Sequence, residues 1–219
     1  MRRPGGDSQE STPTMSERLR VHPQHPAPRP IKQAADRIAA GALAILPSDA
    51  GYLLAWAMEA RAAEDAAVRM RRLDNRHPFT VLCRGLSEVG TLAKLDDQAF
   101  RLIKSLVPGP RTFILPPGAG LPKRLKQAKR RTIGCRIPDH PVTRALLETL
   151  GAPLLSTSLL LPDEPFDNHD AEAVAERMLQ RVDLMLDAED CPPGPTTVVD
   201  LTGDEPQVIR PGWQELELD

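Results

Sequence analysis

The chain has 219 residues, of which 41% are hydrophobic and 26% charged, with a formal net charge of −2; that is one sizeable domain, or one domain with a tail, and a globular rather than disordered composition. No apolar run approaches the roughly 18 residues needed to span a bilayer, so no membrane partner is expected, and at 3% aromatic the chain is too poor in rings to bind nucleic acid by rows of stacked bases. The charge is unevenly spread: residues 69–136 hold 16 Lys and Arg against 4 Asp and Glu, and the rest of the chain holds 12 against 26, which points to an anion met by the middle third or to a solvated basic face.

In chain order, residues 1–21 read as a disordered tail, and the same proline-rich, polar composition runs on to about residue 29. Arg2 and Arg3 precede no apolar segment, so no secretion signal is expected, and Met15 offers a second start. Cys83, Cys135 and Cys191 are odd in number and widely spaced, which implies neither a disulfide framework nor a zinc knuckle and makes a reducing, cytoplasmic location the default. His22 and His25 have no neighbouring Cys or carboxylate to complete a metal site and are expected in solvent.

The folded domain is expected over residues 22–212, with 213–219 as a C-terminal tail. Ile31, Ala34, Ala35 and Ile38 fall at helical spacing, with Pro30 near the first turn and Gly41 as the stop. Strands are predicted at 42–47 and 52–57 around a turn at 47–51, then a helix over 62–72 and a strand at 79–83. A helix over 96–106, with Phe100, Ile103 and Val107 on one side, is broken by Pro108 and Pro110. Strands at 112–115, 132–137 and 153–158, helices at 141–150 and 170–181, and strands at 184–186, 196–201 and 207–210 complete the pattern. This alternation predicts an α/β domain, and the brief connections predict a mixed sheet. Neither GxGxxG nor a P-loop signature occurs, so a nucleotide site would be of neither the Rossmann nor the Walker type.

Several segments carry candidate chemistry. Arg69 and Arg71, with Arg72 and Arg76, suit phosphate through planar two-point contacts; equally, cations at a helix C-terminus complement its dipole by about 0.3–1 kcal/mol each. The Pro108–Thr112 turn either presents the Thr112 hydroxyl to a ligand or is simply rigid. Lys123, Arg124, Lys126, Lys129, Arg130 and Arg131 form a candidate RNA-backbone surface or a solvated face. Ser156, Thr157 and Ser158 end one strand, where α/β proteins commonly bind ligands but where hydroxyls also cap a helix or satisfy the strand end, and Thr196 and Thr197 begin another with the same two readings open. No nucleophilic triad is evident, and His140, between Asp139 and Pro141, reads as a turn residue.

The order of these segments is more specific than any one of them. Pro47-Ser-Asp-Ala-Gly-Tyr52, Arg69-Met-Arg71, Pro108-Gly-Pro-Arg-Thr112, Arg136-Ile-Pro-Asp-His-Pro141, Leu155-Ser-Thr-Ser158, Thr196-Thr-Val-Val-Asp200 and Ile209-Arg-Pro-Gly212 together resemble the YrdC-like family of threonylcarbamoyl-adenylate synthases, most nearly its YciO branch. The resemblance implies a single domain with a twisted mixed sheet, covered by helices and bearing a basic concave face. It also implies a reaction of threonine, bicarbonate and Mg²⁺-bound ATP that yields threonylcarbamoyl-AMP and pyrophosphate and serves adenosine modification in tRNA. By motif, Arg69 and Arg71 would be the catalytic phosphate contacts. Thr112, Ser158, Thr196 and Arg210 would bind the nucleotide (ATP or AMP), and Ser48, Ala50 and Tyr52 would line the amino-acid pocket, with no metal ligand from protein side chains. Three positions depart from the synthase pattern: Arg69 replaces a Lys, Leu160 an Asn and Ala50 a Thr. They imply weak or altered synthase activity, with a nucleotide- and double-stranded-RNA-binding module of the same fold as the alternative. The longer members' extra C-terminal domain is not expected after the final Arg-Pro-Gly motif.

Overall fold

Side chains alternate across a strand, so an apolar strand covered on both faces feeds two cores. The short strand Ala44–Leu46 shows this: Ile45 enters one core, and Ala44 and Leu46 enter the other. The structure, a computed structural model, describes residues 16–74, 77–127, 132–162 and 166–217. Among these, the strands are β1 (Glu17–Arg20), β2 (Ala44–Leu46), β3 (Leu53–Ala57), β4 (Thr80–Leu82), β5 (Arg111–Leu115), β6 (Ile133–Arg136), β7 (Leu154–Ser158), β8 (Leu184–Asp187), β9 (Thr197–Asp200) and β10 (Gln207–Arg210). The helices are α1 (Pro28–Ala39), α2 (Arg61–Arg71), α3 (Leu86–Leu92), α4 (Asp97–Leu106), α5 (Lys123–Gln127), α6 (Pro141–Leu150) and α7 (Ala171–Met178). None of them is long and apolar enough to cross a membrane.

The strands form one twisted mixed sheet in the order β1-β8-β2-β3-β7-β4-β6-β5-β9-β10. Pairs β1–β8, β2–β8, β4–β6 and β5–β9 are parallel and the rest antiparallel. One face is covered along its length: Leu54 and Trp56 of β3, Val81 of β4, Phe113 of β5, Cys135 of β6 and Val199 of β9 pack there with α2, α3, α4 and α7. The other face is covered only in part. Ile31, Ala34 and Ile38 of α1 and Val142, Leu146 and Leu147 of α6 pack on β8, β2, β3 and the start of β7. Strands β5, β6 and β9 contribute nothing to that second core, and their outward residues are left for a cleft.

The expected tails need correction. Glu17–Arg20, inside the stretch expected to be disordered, is an edge strand in parallel register with β8, and α1 begins at Pro28. Arg18 holds the strand, donating to Asp187 Oδ2 at 2.9 Å and to both Glu172 oxygens at 2.7–2.8 Å. These partners lie more than 150 positions away, so no local periodicity announces the strand. At the other end, Trp213 Nε1 donates to the Asp49 carbonyl (2.9 Å) and the Gln214 carbonyl accepts from Thr197 Oγ1 (3.1 Å), so the segment after Gly212 packs on the domain. Gly212 permits this approach, since a Cβ there would lie 2.3 Å from the Thr197 nitrogen.

Two further differences are local. Helix α3 was not predicted, because seven residues interrupted by Gly90 make a weak helical signal; burial of Val89 and Leu92 stabilises it. In α4 the N-cap Asp96 accepts from the Ala99 N–H (2.7 Å) and Ala99 and Ile103 turn inward, which leaves Phe100, one step of about 100° further round, exposed.

Candidate functional site

The uncovered half of the sheet forms the floor of a cleft of about 670 Å³. Leu53, Thr80, Thr112, Ile114, Gly134, Arg136, Ser156, Ser158 and Val198 rise from the floor strands. At its centre Gly134 has no side chain to fill the space, and a Cβ there would stand 3.2 Å from Thr80 Oγ1 and 3.4 Å from Thr112 Cγ2.

One wall is the turn at 48–51. Ser48 Oγ donates to the Gly51 carbonyl (2.5 Å) and accepts from the Ala50 N–H (3.1 Å). Gly51 has φ +73°, a left-handed conformation that favours glycine. Asp49 forms a buried ion pair with Arg136, its second oxygen accepts the Asp139 N–H (3.0 Å), and Arg136 also donates to Ser48 Oγ (3.2 Å). Arg136 Nε is buried without a hydrogen-bond partner among the described residues. Asn168 closes over this turn, accepting the Tyr52 N–H on its carbonyl (2.8 Å) and lining the cleft.

The opposite wall begins at the end of α2. Arg71 donates through Nε to the Leu160 carbonyl (3.0 Å) and through Nη1 to Thr157 Oγ1; burial holds its pKa below the ordinary arginine value. His77 Nε2 is 3.5 Å from Thr157 Oγ1. A third corner joins Thr112 Oγ1 to Thr196 Oγ1 (3.1 Å), and Arg210 Nη2 donates to the Thr196 hydroxyl and carbonyl, both at 2.9 Å. Burial lowers the Arg210 pKa as well. No Asp, Glu, Lys or Cys is among the described lining residues, and no cluster of three or more metal-ligating side chains occurs among the described residues. The three cysteines are buried, and burial pushes the Cys191 thiol up to about 12, away from a ready thiolate.

The structure thus brings Ala50, Thr112, Ser158, Thr196 and Arg210 to the cleft, joins Arg71 to its wall, and keeps Ser48 behind Arg136. It separates Arg69 from Arg71: two positions on a helix are about 200° apart, and Arg69 is exposed and absent from the lining. Tyr52 does not line the pocket either. Its ring lies in the core under the covered face, and its hydroxyl donates to the Glu189 carbonyl (2.7 Å) and accepts from the Ala188 N–H (3.1 Å).

In the basic run, Arg124 pairs with Glu64 (2.8 Å) and lies near Glu59 (3.9 Å), and Leu125 packs in the core shared with α2, away from the cleft floor. Lys123 is exposed. The Lys126 side chain and all of Lys129, Arg130 and Arg131 lie outside the described residues. Among the described residues, the positive charge at the cleft therefore comes from Arg136, Arg210 and neighbouring Arg71, not from Arg124.

Sequence reasoning named Ser156 and Thr157 as candidate ligand hydroxyls, quoted Asp49 and Arg136 only as parts of motifs, gave His77 no role and missed Asn168. A charge ending the apolar strand Ile133–Arg136 was a usable signal, as was the two-residue alternation that sets Ser156 beside Ser158 on one face. Nothing local marked Asn168. His22 and His25 are exposed as expected. His140 immediately precedes α6, where burial lowers its pKa.

Fold and site together define a single-domain α/β protein with an arginine- and hydroxyl-lined cleft on an open sheet face. The Sua5/YciO/YrdC family model, described as "Telomere recombination", matches residues 36–212, and the chain belongs to that family. It is 43% identical over 198 residues to YciO of Escherichia coli K12, covering 90% of this chain and 96% of that protein. The crystal structure of E. coli YciO has the same fold, with a TM-score of 0.86 over 92% of this chain and 98% of that one. A threonylcarbamoyl-AMP synthase of Pyrococcus abyssi is a more distant relative, 29% identical over 195 residues, which make up 85% of this chain and 55% of that protein. The crystal structure of P. abyssi Sua5 complexed with L-threonine matches with a TM-score of 0.81 and 25% identity, over 90% of this chain and 57% of that one.

Proposed function

We propose that this cleft carries out threonylcarbamoyl-AMP synthase chemistry on threonine, bicarbonate and ATP. The observation that carries the reading is the convergence of Arg71, Arg136 and Arg210 with the Thr112–Thr196 and Ser156–Ser158 hydroxyls, with no carboxylate among the described lining residues. The synthase relationship and the L-threonine complex of P. abyssi Sua5 support it. In the reaction, threonine's ammonium and bicarbonate condense to a carbamate with loss of water and one net proton. A carbamate oxygen then attacks the α-phosphorus, the bond to the bridging oxygen of the β-phosphate breaks, and pyrophosphate leaves.

Catalysis here is positioning and charge neutralisation. Arg136, oriented by Asp49, and Arg71, tied to Thr157, meet developing negative charge, and Arg210 with Thr112 and Thr196 holds the nucleotide end. Mg²⁺ enters with ATP as part of the substrate; the described lining residues, hydroxyls without carboxylates, suit a cation carried on the phosphates.

A second reading, nucleotide binding without efficient turnover, is favoured by Leu160, which is 52% exposed and sets an apolar side chain on the cleft where synthases have an amide. Double-stranded RNA or tRNA binding belongs to this reading and rests on Lys123 and the basic residues after it. It predicts affinity that falls steeply with salt, and flat salt dependence would exclude it. The main experiment is pyrophosphate release with MgATP and bicarbonate, with and without threonine. Threonine-dependent release supports the synthase, ATP or AMP binding without release supports the second reading, and neither binding nor release refutes both.

A further inference from the structure

Carbamate formation from an ammonium and bicarbonate releases one proton, and the cleft must provide somewhere for it to go. Among the described lining residues the polar side chains are Thr and Ser hydroxyls, the Arg136 and Arg210 guanidinium groups, the Asn168 amide and the His77 imidazole. Hydroxyls and amides do not retain an added proton near neutral pH, and guanidinium is already protonated. Imidazole alone in this set both takes and releases a proton between about pH 5 and 8. The other histidines stand elsewhere: His22 and His25 are exposed ahead of α1, His140 is buried ahead of α6, His169 pairs with Asp167, and none of them lines the cleft.

We propose that His77 is the proton acceptor of the cleft, taking up at Nε2 the proton released as threonine and bicarbonate form the carbamate. This deepens the synthase reading and rests on it. The geometry presents that nitrogen. Thr157 Oγ1 accepts an N–H from Arg71, which leaves the Thr157 hydroxyl proton to point at His77 Nε2, 3.5 Å away. The contact is long for a hydrogen bond. The ring stands edge-on to Phe79 with centroids 5.8 Å apart, and the His77 N–H donates to the Asp74 carbonyl at 3.1 Å, so ring and backbone are both held.

Among the described residues, the charged groups nearest in the chain and in the cleft lining are Arg71 and Arg72 at the end of α2, Asp74 in the connecting loop, and Arg136 and Arg210. The step balances: the ammonium nitrogen loses two protons in all, one leaving in the water formed with the bicarbonate hydroxyl and one to His77, while the N–C bond forms and the C–OH bond breaks.

The test is the pH dependence of threonine-dependent pyrophosphate release for the wild type, His77→Gln and His77→Ala, with calorimetric Kd values for ATP and threonine. The wild type should lose rate on the acid side through the imidazole range. Both variants should lose about 100-fold or more in kcat, lose that acid limb, and keep both Kd values within about threefold, and added imidazole should restore rate to His77→Ala. Unchanged rate and acid limb in both variants would overturn the proposal, and so would a raised KM for threonine with the acid limb intact, which would mark a positioning role. A wild type without threonine-dependent release would instead remove the synthase reading, and this inference with it.

Discussion

Replacing Asp49 by Asn leaves the guanidinium of Arg136 buried without a countercharge. Both side chains are under a tenth exposed, 9% for Asp49 and 6% for Arg136. Among the described residues Arg136 otherwise keeps only the Ser48 hydroxyl at 3.2 Å, and its Nε has no hydrogen-bond partner there. Removing one partner of a buried ion pair costs about 3–5 kcal/mol, which in a domain of this size lowers Tm by about 6–20 °C. Urea unfolding and thermal denaturation followed by circular dichroism would measure this. Because the cost lies in the orphaned charge, Asp49→Leu combined with Arg136→Met should recover most of the lost stability while losing ATP affinity. A cost below about 1 kcal/mol for Asp49→Asn, or a double variant as unstable as the single one, would refute the reasoning.

Leu160→Asn should raise threonine-dependent pyrophosphate release several-fold, because it restores donor and acceptor groups at the cleft edge; an unchanged rate would show that position 160 does not limit turnover. Arg71→Ala should weaken ATP binding about tenfold or more, since charge-assisted contacts contribute about 1.5–3 kcal/mol, whereas exposed Arg69→Ala should change it less than threefold, as titration calorimetry would show. The Arg18 hydrogen bonds hold the Glu172 carboxylate below its usual range. A lowered folded pKa stabilises above the unfolded pKa, and that contribution is lost as pH falls through the folded value. The Tm difference between wild type and Glu172→Gln should therefore be largest near neutral pH and vanish in acid; a difference that persists unchanged in acid would exclude this origin.

The positions of most strands and helices were legible in the sequence because they arise from local periodicity and punctuation. Ile31, Ala34, Ala35 and Ile38 recur every three to four residues and form the buried stripe of α1. The hydroxyls and arginines of the cleft were legible as an inventory, and their order as a family resemblance. What they do was decided by long-range placement. Edge strand β1 exists because its partner β8 stands beside it, and its own polar sequence carries no strand signal. Arg69 and Arg71 are two positions apart in sequence, yet only Arg71 meets Thr157 and Leu160. Tyr52 belongs to the core because successive side chains alternate between faces and its neighbour Leu53 takes the cleft side. The cleft itself follows from where α1 and α6 stop covering the sheet. That boundary depends on strand order across the whole chain, whereas local periodicity specifies only which residues of one element share a face.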